Sequence, residues 1–290
     1  MESSTPASAI RRSAWRRVGP RAPGRASLFV ACAILVALAA VAIFAPWITP
    51  KNPDTVDYLA IANAPSMEHW LGTDSIGRDL LSRLIMGSRV SLLVGFSAVV
   101  IAGCIGIPLG LVIGYVGGWL DEIVARVIDI FLAFPTFLLA LAIVAILGPG
   151  TRNVILALGL TGWTEFCRVA RAEAIAKREL DYIEASRASG IRARRLLFVH
   201  LMPNVLPPLI VLATLRVGTA IISEAGLSFL GLGVQPPDAS WGTILADGRP
   251  YLSQAPHIMT SAGLAIMISV LAINFVGDYR RDRLDAVEGR

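Results

Sequence analysis

The chain has 290 residues, of which 55% are hydrophobic and only 16% charged, more apolar surface than a soluble domain of this length needs, so residence in a membrane is expected. The net charge of +5 does not point to nucleic acid, because the basic residues fall in loops beside apolar runs, where membrane topology accounts for them. Cys32, Cys104 and Cys167 lie far apart without paired spacing, so neither a metal site nor a disulfide framework is suggested.

In chain order, residues 1–26 carry Arg11, Arg12, Arg16, Arg17, Arg21 and Arg25 among few core-forming residues, and are expected to be a disordered cytoplasmic tail. Leu28–Ile48 follows, apolar throughout. It is longer than the ~7–15 residues of a signal-peptide core and ends on Pro46-Trp47, so an uncleaved anchor is expected rather than a twin-arginine signal. Residues 27–86 are therefore read as an N-terminal transmembrane helix with an extracytoplasmic segment. Residues 87–284 form the main transmembrane domain, and 285–290 a cytoplasmic tail. The fold expected is an all-α polytopic bundle of about six spans: Leu28–Ile48, Val90–Tyr115, Val124–Leu147, Asn153–Val169, Leu206–Leu230 and His257–Val276. The fourth is the weakest, being short and interrupted by Gly159, Gly162 and Glu165.

Arginines set the orientation. They crowd the N-terminal tail, the loop after the fourth span (Arg171 to Arg195) and the C-terminal tail from Arg280, while Gly231–Pro256 holds only Arg249. The positive-inside rule puts both termini and that loop in the cytoplasm. Arg78, Arg83 and Arg89 break the pattern and are read as an interfacial amphipathic helix leading into the second span. Trp47, Trp70, Trp119 and Trp241 fall near the expected interfaces, as amphipathic anchors do. No repeat pairs the two halves, as an inverted-repeat transporter would show.

Within the spans, Ala98, Ala102, Gly106, Gly110, Gly114 and, just past its end, Gly118 recur every fourth residue on one face of the second, a pattern for close helix packing either within the chain or against another subunit. Pro108 should kink that helix. Arg126 and Asp129 can pair at the entry of the third span, and Glu165 with Arg168 at the end of the fourth. Glu224 has no charged neighbour in sequence. A lone acid in hydrocarbon is costly, so it is expected to face the bundle interior, either as a pathway or gate residue or in a structural hydrogen bond to another helix. The glycines and Pro236-Pro237 of Gly231–Trp241 fix a turn, after which a short amphipathic stretch opens on the outer side. No phosphate-binding loop and no H-E-x-x-H motif occur. His69, His200 and His257 lie in three regions and read as interfacial or capping residues, so catalysis has no support.

The loop after the fourth span carries the most information. Asp181 is placed to cap a helix containing Glu184, with Tyr182, Ala185, Ser186 and Ser189 on one low-bulk face. Gly190 permits a left-handed turn. A second helical stripe of Leu196, Leu197, His200 and Leu201, with Arg192, Arg194 and Arg195 opposite, is expected to end at Pro203. On these grounds alone the segment is equally a handle for a soluble partner or a helix lying on the membrane surface.

The segment resembles the E-A-A-x-x-x-G and I-x-L-P signature of permease subunits of ATP-binding-cassette importers, here as Glu184-Ala185-Ser186, Gly190 and His200-Leu201-Met202-Pro203. Ser186, His200 and Met202 depart from the signature, and the H-L-M-P-N form is similar to that of the dipeptide, oligopeptide and nickel branch. The stretches His69–Asp74, Gly77–Asp79, Arg89–Leu92, Gly117–Trp119 with Asp121, Glu224–Gly233 and Trp241-Gly242 resemble the same branch, in the same order. The first span and His69–Asp79 are similar to its "C" type of subunit. The resemblance implies a heterodimer with a second homologous permease, two cytoplasmic ATPase subunits and an extracytoplasmic solute-binding protein, in the cell membrane, with no cofactor of its own. It implies that Glu184–Gly190 is the coupling helix and that di- or oligopeptides are carried, or alternatively nickel or another small solute. A self-sufficient secondary transporter would need converging coupling-ion acids, and an embedded enzyme would need a nucleophile or metal set; neither is found.

Overall fold

The structure, a computed structural model, describes residues 25–288 and side chains within 26–283; residues 1–24, most of the expected N-terminal tail, lie outside the described residues. The described chain is helical, with one isolated antiparallel bridge between Thr73 and Asp79. In order come α1 (Arg25–Ile48), α2 (Leu80–Val116), α3 (Gly118–Leu132), α4 (Thr136–Leu147), α5 (Thr151–Lys177), α6 (Asp181–Ala188), the single turn α7 (Ala193–Arg195), a π-helical stretch Leu196–Leu201, α8 (Met202–Phe229), α9 (Trp241–Gly248) and α10 (Pro256–Glu288). The tail expected from residue 285 is, as far as Glu288, the end of α10.

Among the described residues, four helices are long and apolar enough to cross a membrane: α1, α2, the continuous 193–229 segment and α10. A fifth crossing results if the bent pair α3 and α4 is counted as one. This differs from six simple spans in two ways. The third expected span is broken by 86° between α3 and α4, because Pro135 cannot continue the hydrogen-bond ladder and sits with extended ψ ahead of α4. The fourth corresponds to α5, which has the length, about 40 Å, but whose polar C-terminal half, from Glu165 to Lys177, makes it too hydrophilic to pass on composition.

What holds α5 in the bundle is α2. The two run parallel. Gly106 faces the Trp163–Cys167 turn, Gly110 faces Cys167–Arg171, and Gly114 faces Arg171 and Ala174. A Cβ on Gly114 would lie 2.6 Å from the Arg171 carbonyl oxygen, and one on Gly106 would lie 2.7 Å from the Cβ of Phe166. The small-residue face is thus used for packing within the chain. Where helices are surrounded by lipid, backbone contact of this kind supplies dispersion that bulky apolar residues gain equally from lipid. Pro108 sits inside α2 without ending it.

The main core lies between α2, α4, α5 and α8, with Val94, Leu111, Val154, Phe166, Leu201 and Leu209 buried. One end of the bundle gathers the 72–83 turn, the 231–240 loop and α9. The opposite end gathers Gly117, the end of α5 and α6. There Arg178 donates to the Gly114 carbonyl at 3.2 Å, and the Arg187 guanidinium lies 5.4 Å from the Tyr115 ring centroid.

Candidate functional site

At the α5–α6 end the chain makes a reversal. Leu180 is the N-cap of α6, and no side chain caps it. Asp181, expected as the cap, instead falls with Glu184 in the first turn, where both acids still meet the positive helix end. Ile183, the one buried residue of α6, packs against the core that contains Leu196, Leu197 and Leu201 and anchors the helix to the bundle. The other face is open. Tyr182, Glu184, Ala185 and Ser189 are exposed and Ser186 is half-buried, its hydroxyl donating to the Tyr182 carbonyl at 2.7 Å. Gly190 has φ +75°, and nothing lies within 4 Å of where a Cβ would be, so backbone conformation alone selects glycine there.

Beyond Gly190, Arg192, Arg194 and Arg195 are exposed while Leu196, Leu197 and Leu201 are buried, as the stripe predicts. Pro203 does not end this helix. Residues 193–229 are continuous, with Pro203 in the first turn of α8 just after the π-helical stretch, where the Met202 N–H bonds back to Leu197. A wider turn lets the ladder shift register where proline supplies no donor. His200 is half-buried, and its carbonyl accepts from Asn204 at 2.7 Å. The structure thus brings Glu184, Ala185, Ser186, Gly190, His200 and Pro203 to one end of the bundle.

At the other end, Glu224 is fully buried. Its carboxylate accepts from Ser91 of α2 at 3.0 Å and from Ser228 at 2.7 Å. Those hydroxyls in turn accept backbone N–H groups from the segment between α8 and α9, from Trp241 to Ser91 at 3.1 Å and from Val234 to Ser228 at 3.1 Å. Trp241, expected as an interfacial anchor, is a core residue at 1% exposure, its indole N–H donating to the Leu84 carbonyl. Trp47, Trp70 and Trp119 are exposed.

Next to this network lies a charged cluster. Arg78 bonds Asp74 at 2.6 Å and Asp247 of α9 at 3.1 Å, and Arg83 stands 3.2 Å from Asp74. Arg78 and Arg83 are therefore buried partners and not an amphipathic surface. Burial pushes the Asp247 carboxyl up, and Arg83 and Arg78 offset this only in part. Asp79 caps α2 by accepting from the Ser82 N–H at 2.9 Å and also contacts His69 Nδ1 at 2.9 Å. Burial works to raise its carboxyl, but the Ser82 hydrogen bonds and His69 outweigh it and hold the group below the usual carboxylate range. The i to i+4 spacing of Asp74 and Arg78 was the available signal for this cluster; Asp247 had none.

Neither ion pair expected between near neighbours in sequence, Glu165 with Arg168 or Arg126 with Asp129, is present among the described residues. Glu165 pairs with Arg216 of α8, and Arg171 of α5 holds Asp121 of α3, bonding it at 2.7 Å through Nη2. Glu165 and Arg216 line a cavity of about 300 Å³ between α2, α4, α5 and α8.

Residues 106–286 match the family described as binding-protein-dependent transport system inner membrane component, and residues 27–65 match the N-terminal TM domain of oligopeptide transport permease C. The chain is 42% identical over 273 residues to the dipeptide transport system permease protein DppC of Alkalihalophilus pseudofirmus, covering 94% of this chain and 90% of that one. It is 46% identical over 250 residues to the di/tripeptide transport system permease protein DppC of Pseudomonas aeruginosa (84% and 82% covered), and 40% identical over 275 residues to the glutathione transport system permease protein GsiD of Pectobacterium atrosepticum (94% and 91% covered). Among solved structures, an inward-facing form of the MetNI methionine ABC transporter is similar over 69% of this chain and 93% of that one, with a TM-score of 0.56 at 24% identity, a likeness of fold alone.

Proposed function

Because the chain belongs to the family of inner-membrane components of binding-protein-dependent transport systems, we propose that it forms half of the translocation pathway of a peptide importer and that its α6 segment couples ATPase closure to the membrane helices. The chain is a multi-pass inner-membrane permease subunit, and ATP hydrolysis belongs to partner subunits of such a transporter. The observation that carries the coupling reading is the construction of α6: one buried anchor, Ile183, and an exposed face on which Ala185 and Ser189 lie beside Tyr182 and Glu184. A force applied to that face passes through Ile183 into the core shared with α5 and α8.

The substrate class follows from the relatives' names, which specify dipeptides, di- and tripeptides and glutathione, all of them peptides. The other half of the pathway is assigned to a second, homologous permease, with two ATPase subunits beneath and a solute-binding protein outside. The Glu224 network is assigned the role of an outer gate latch, since one carboxylate positions both hydroxyls that receive the 234–241 backbone. Both termini and α6 are assigned to the cytoplasm on the arginine asymmetry.

Reconstituted with its partners, the transporter should accumulate labelled dipeptide with ATP; accumulation of nickel but no peptide would overturn the substrate assignment. For orientation, an impermeant thiol reagent on intact cells should label Asp238→Cys and not Arg192→Cys, both of which replace exposed residues. The reverse pattern would overturn the topology.

A further inference from the structure

Glu165 lies near the middle of α5 and Arg216 near the middle of α8, so the pair they form sits at mid-depth of the bundle and not at either face. Neither side chain has a second hydrogen-bond or ion-pair partner among the described residues. A guanidinium carries five N–H donors and a carboxylate has room for several, so one contact leaves most of both groups' capacity unused. The Arg216 side chain keeps 27% of its surface and that of Glu165 17%, and both line the cavity of about 300 Å³ between α2, α4, α5 and α8. Thr136, Thr161, Thr219 and Ser223 add hydroxyls to its wall, and Phe137 adds an apolar face. The Thr161 and Thr219 hydroxyls donate to carbonyls of their own helices and so present lone pairs to the space.

Glu224 makes the contrast. That acid is wholly buried and both of its oxygens accept hydroxyl donors, as a structural carboxylate should. If Glu165 and Arg216 served only to fasten α5 to α8, an apolar contact of the same volume would do so as well, without removing two charges from water. Ionisable groups at membrane depth are retained where they meet a polar path.

We propose that this cavity is a transit subsite for a zwitterionic solute, in which Glu165 takes the solute's ammonium group and Arg216 its carboxylate, the two side chains leaving each other for the solute and rejoining after it passes. The proposal rests on the reading of the chain as a peptide-import permease, since a short linear peptide carries both groups on one small molecule. The exchange conserves charge: two ion pairs replace one while the solute is present, and the protein pair closes behind it. The volume stands at the lower end of the range for small-molecule sites, about 300–1,000 Å³, which suits a dipeptide better than an extended peptide.

The test uses the complete transporter in proteoliposomes with saturating binding protein and labelled alanyl-alanine, comparing wild type, E165Q, R216Q and the exchanged E165R/R216E. Each single variant should lower the maximal uptake rate by ~10-fold or more, the loss of one charged hydrogen bond. The exchanged pair should not restore uptake, because it keeps mutual attraction but offers the solute its charges in reverse order. A photoreactive dipeptide should cross-link during turnover to residues 161–166 or 216–223 in wild type and lose that cross-link in the single variants. Wild-type uptake in both single variants, or full restoration by the exchange, would overturn the proposal and make the pair a strut. If the variants fail to assemble, wild-type cross-links decide, and cross-links only outside those two segments overturn it. A wild-type transporter that imports no dipeptide at all refutes the peptide reading together with this proposal, whereas intact uptake in the variants refutes the proposal alone.

Discussion

The hydroxyl of Ser91 on α2 donates to the carboxylate of Glu224 on α8 at 3.0 Å, across 133 positions of sequence. The same hydroxyl accepts the backbone N–H of Trp241, so the carboxylate fixes the rotor that receives the start of α9. Ser228 repeats the arrangement toward Val234. In a low-dielectric interior such chains polarise one another, and removing the shared acceptor disturbs every member.

Glu224→Ala should therefore leave two buried hydroxyls without an acceptor, at about 1–3 kcal/mol each. The expected result is a lower Tm in detergent and faster hydrogen exchange at the Val234 and Trp241 amides. Glu224→Gln keeps one acceptor oxygen and should show a smaller change. Unaltered exchange at both amides in the alanine variant would show that the carboxylate does not hold the 231–240 loop.

Gly110 and Gly103 lie two turns apart on α2 and should respond oppositely to alanine. A methyl at Gly110 would run into the Cys167 carbonyl and lie 2.8 Å from the Ala170 Cβ, so α2 and α5 would have to separate, at a cost of about 1–3 kcal/mol. At Gly103 the new methyl meets only the Ile107 Cδ1 at 3.6 Å, and replacing a helical glycine should gain up to about 1 kcal/mol. Thermal unfolding of the two variants side by side checks the sign, and equal shifts would contradict the parallel α2–α5 contact.

Asp79 predicts a pH dependence. Burial pushes its carboxyl up, the Ser82 and His69 contacts push it down more strongly, and the net direction is down. The folded chain therefore binds this proton less readily than the unfolded chain, where an aspartate titrates near ~3.9. The stabilisation is complete above that value and is lost as pH falls through it toward the folded value. Asp79→Asn keeps a side-chain oxygen for the cap but has no charge. The Tm gap between wild type and variant should be widest above about pH 5 and should narrow on acidification. A gap that is constant across the acid range would contradict the ionised cap.

Features carried by local pattern were legible in the sequence. The four-residue spacing of small residues foretold a close helix contact but not that its partner is α5, the stripe at Leu196, Leu197 and Leu201 foretold the buried face before α8, and Gly190 foretold the positive φ. Where sequence neighbours competed with tertiary ones, the reading failed. Arg168 stands one turn from Glu165, but the partner is Arg216 on another helix. Arg78 and Arg83 look exposed until Asp247 of α9 folds over them. Trp241 follows a polar turn, as an interfacial residue would, and only the Leu84 carbonyl beneath it reveals a core position. Pro135 was visible, but apolar residues on both sides concealed the break it makes.

The reversal after α6 gives the sharpest test of coupling. Gly190 has φ +75° with open space around it, so any penalty there comes from the backbone and not from a clash. Gly190→Val should strain the turn by about 1–2 kcal/mol or more, whereas Gly190→Asn should cost less, because asparagine visits the left-handed region more readily. Glu184→Lys puts a positive charge in the first turn of α6, beside the positive end of the helix dipole, and on the exposed face. None of the three touches a membrane-crossing core residue, so insertion should be normal. Gly190→Val and Glu184→Lys should reduce copurification of the ATPase subunits or separate ATP hydrolysis from dipeptide uptake, with Gly190→Asn nearer wild type. Normal uptake and normal complex recovery in both the valine and lysine variants would falsify the coupling role and leave α6 as a helix on the membrane surface.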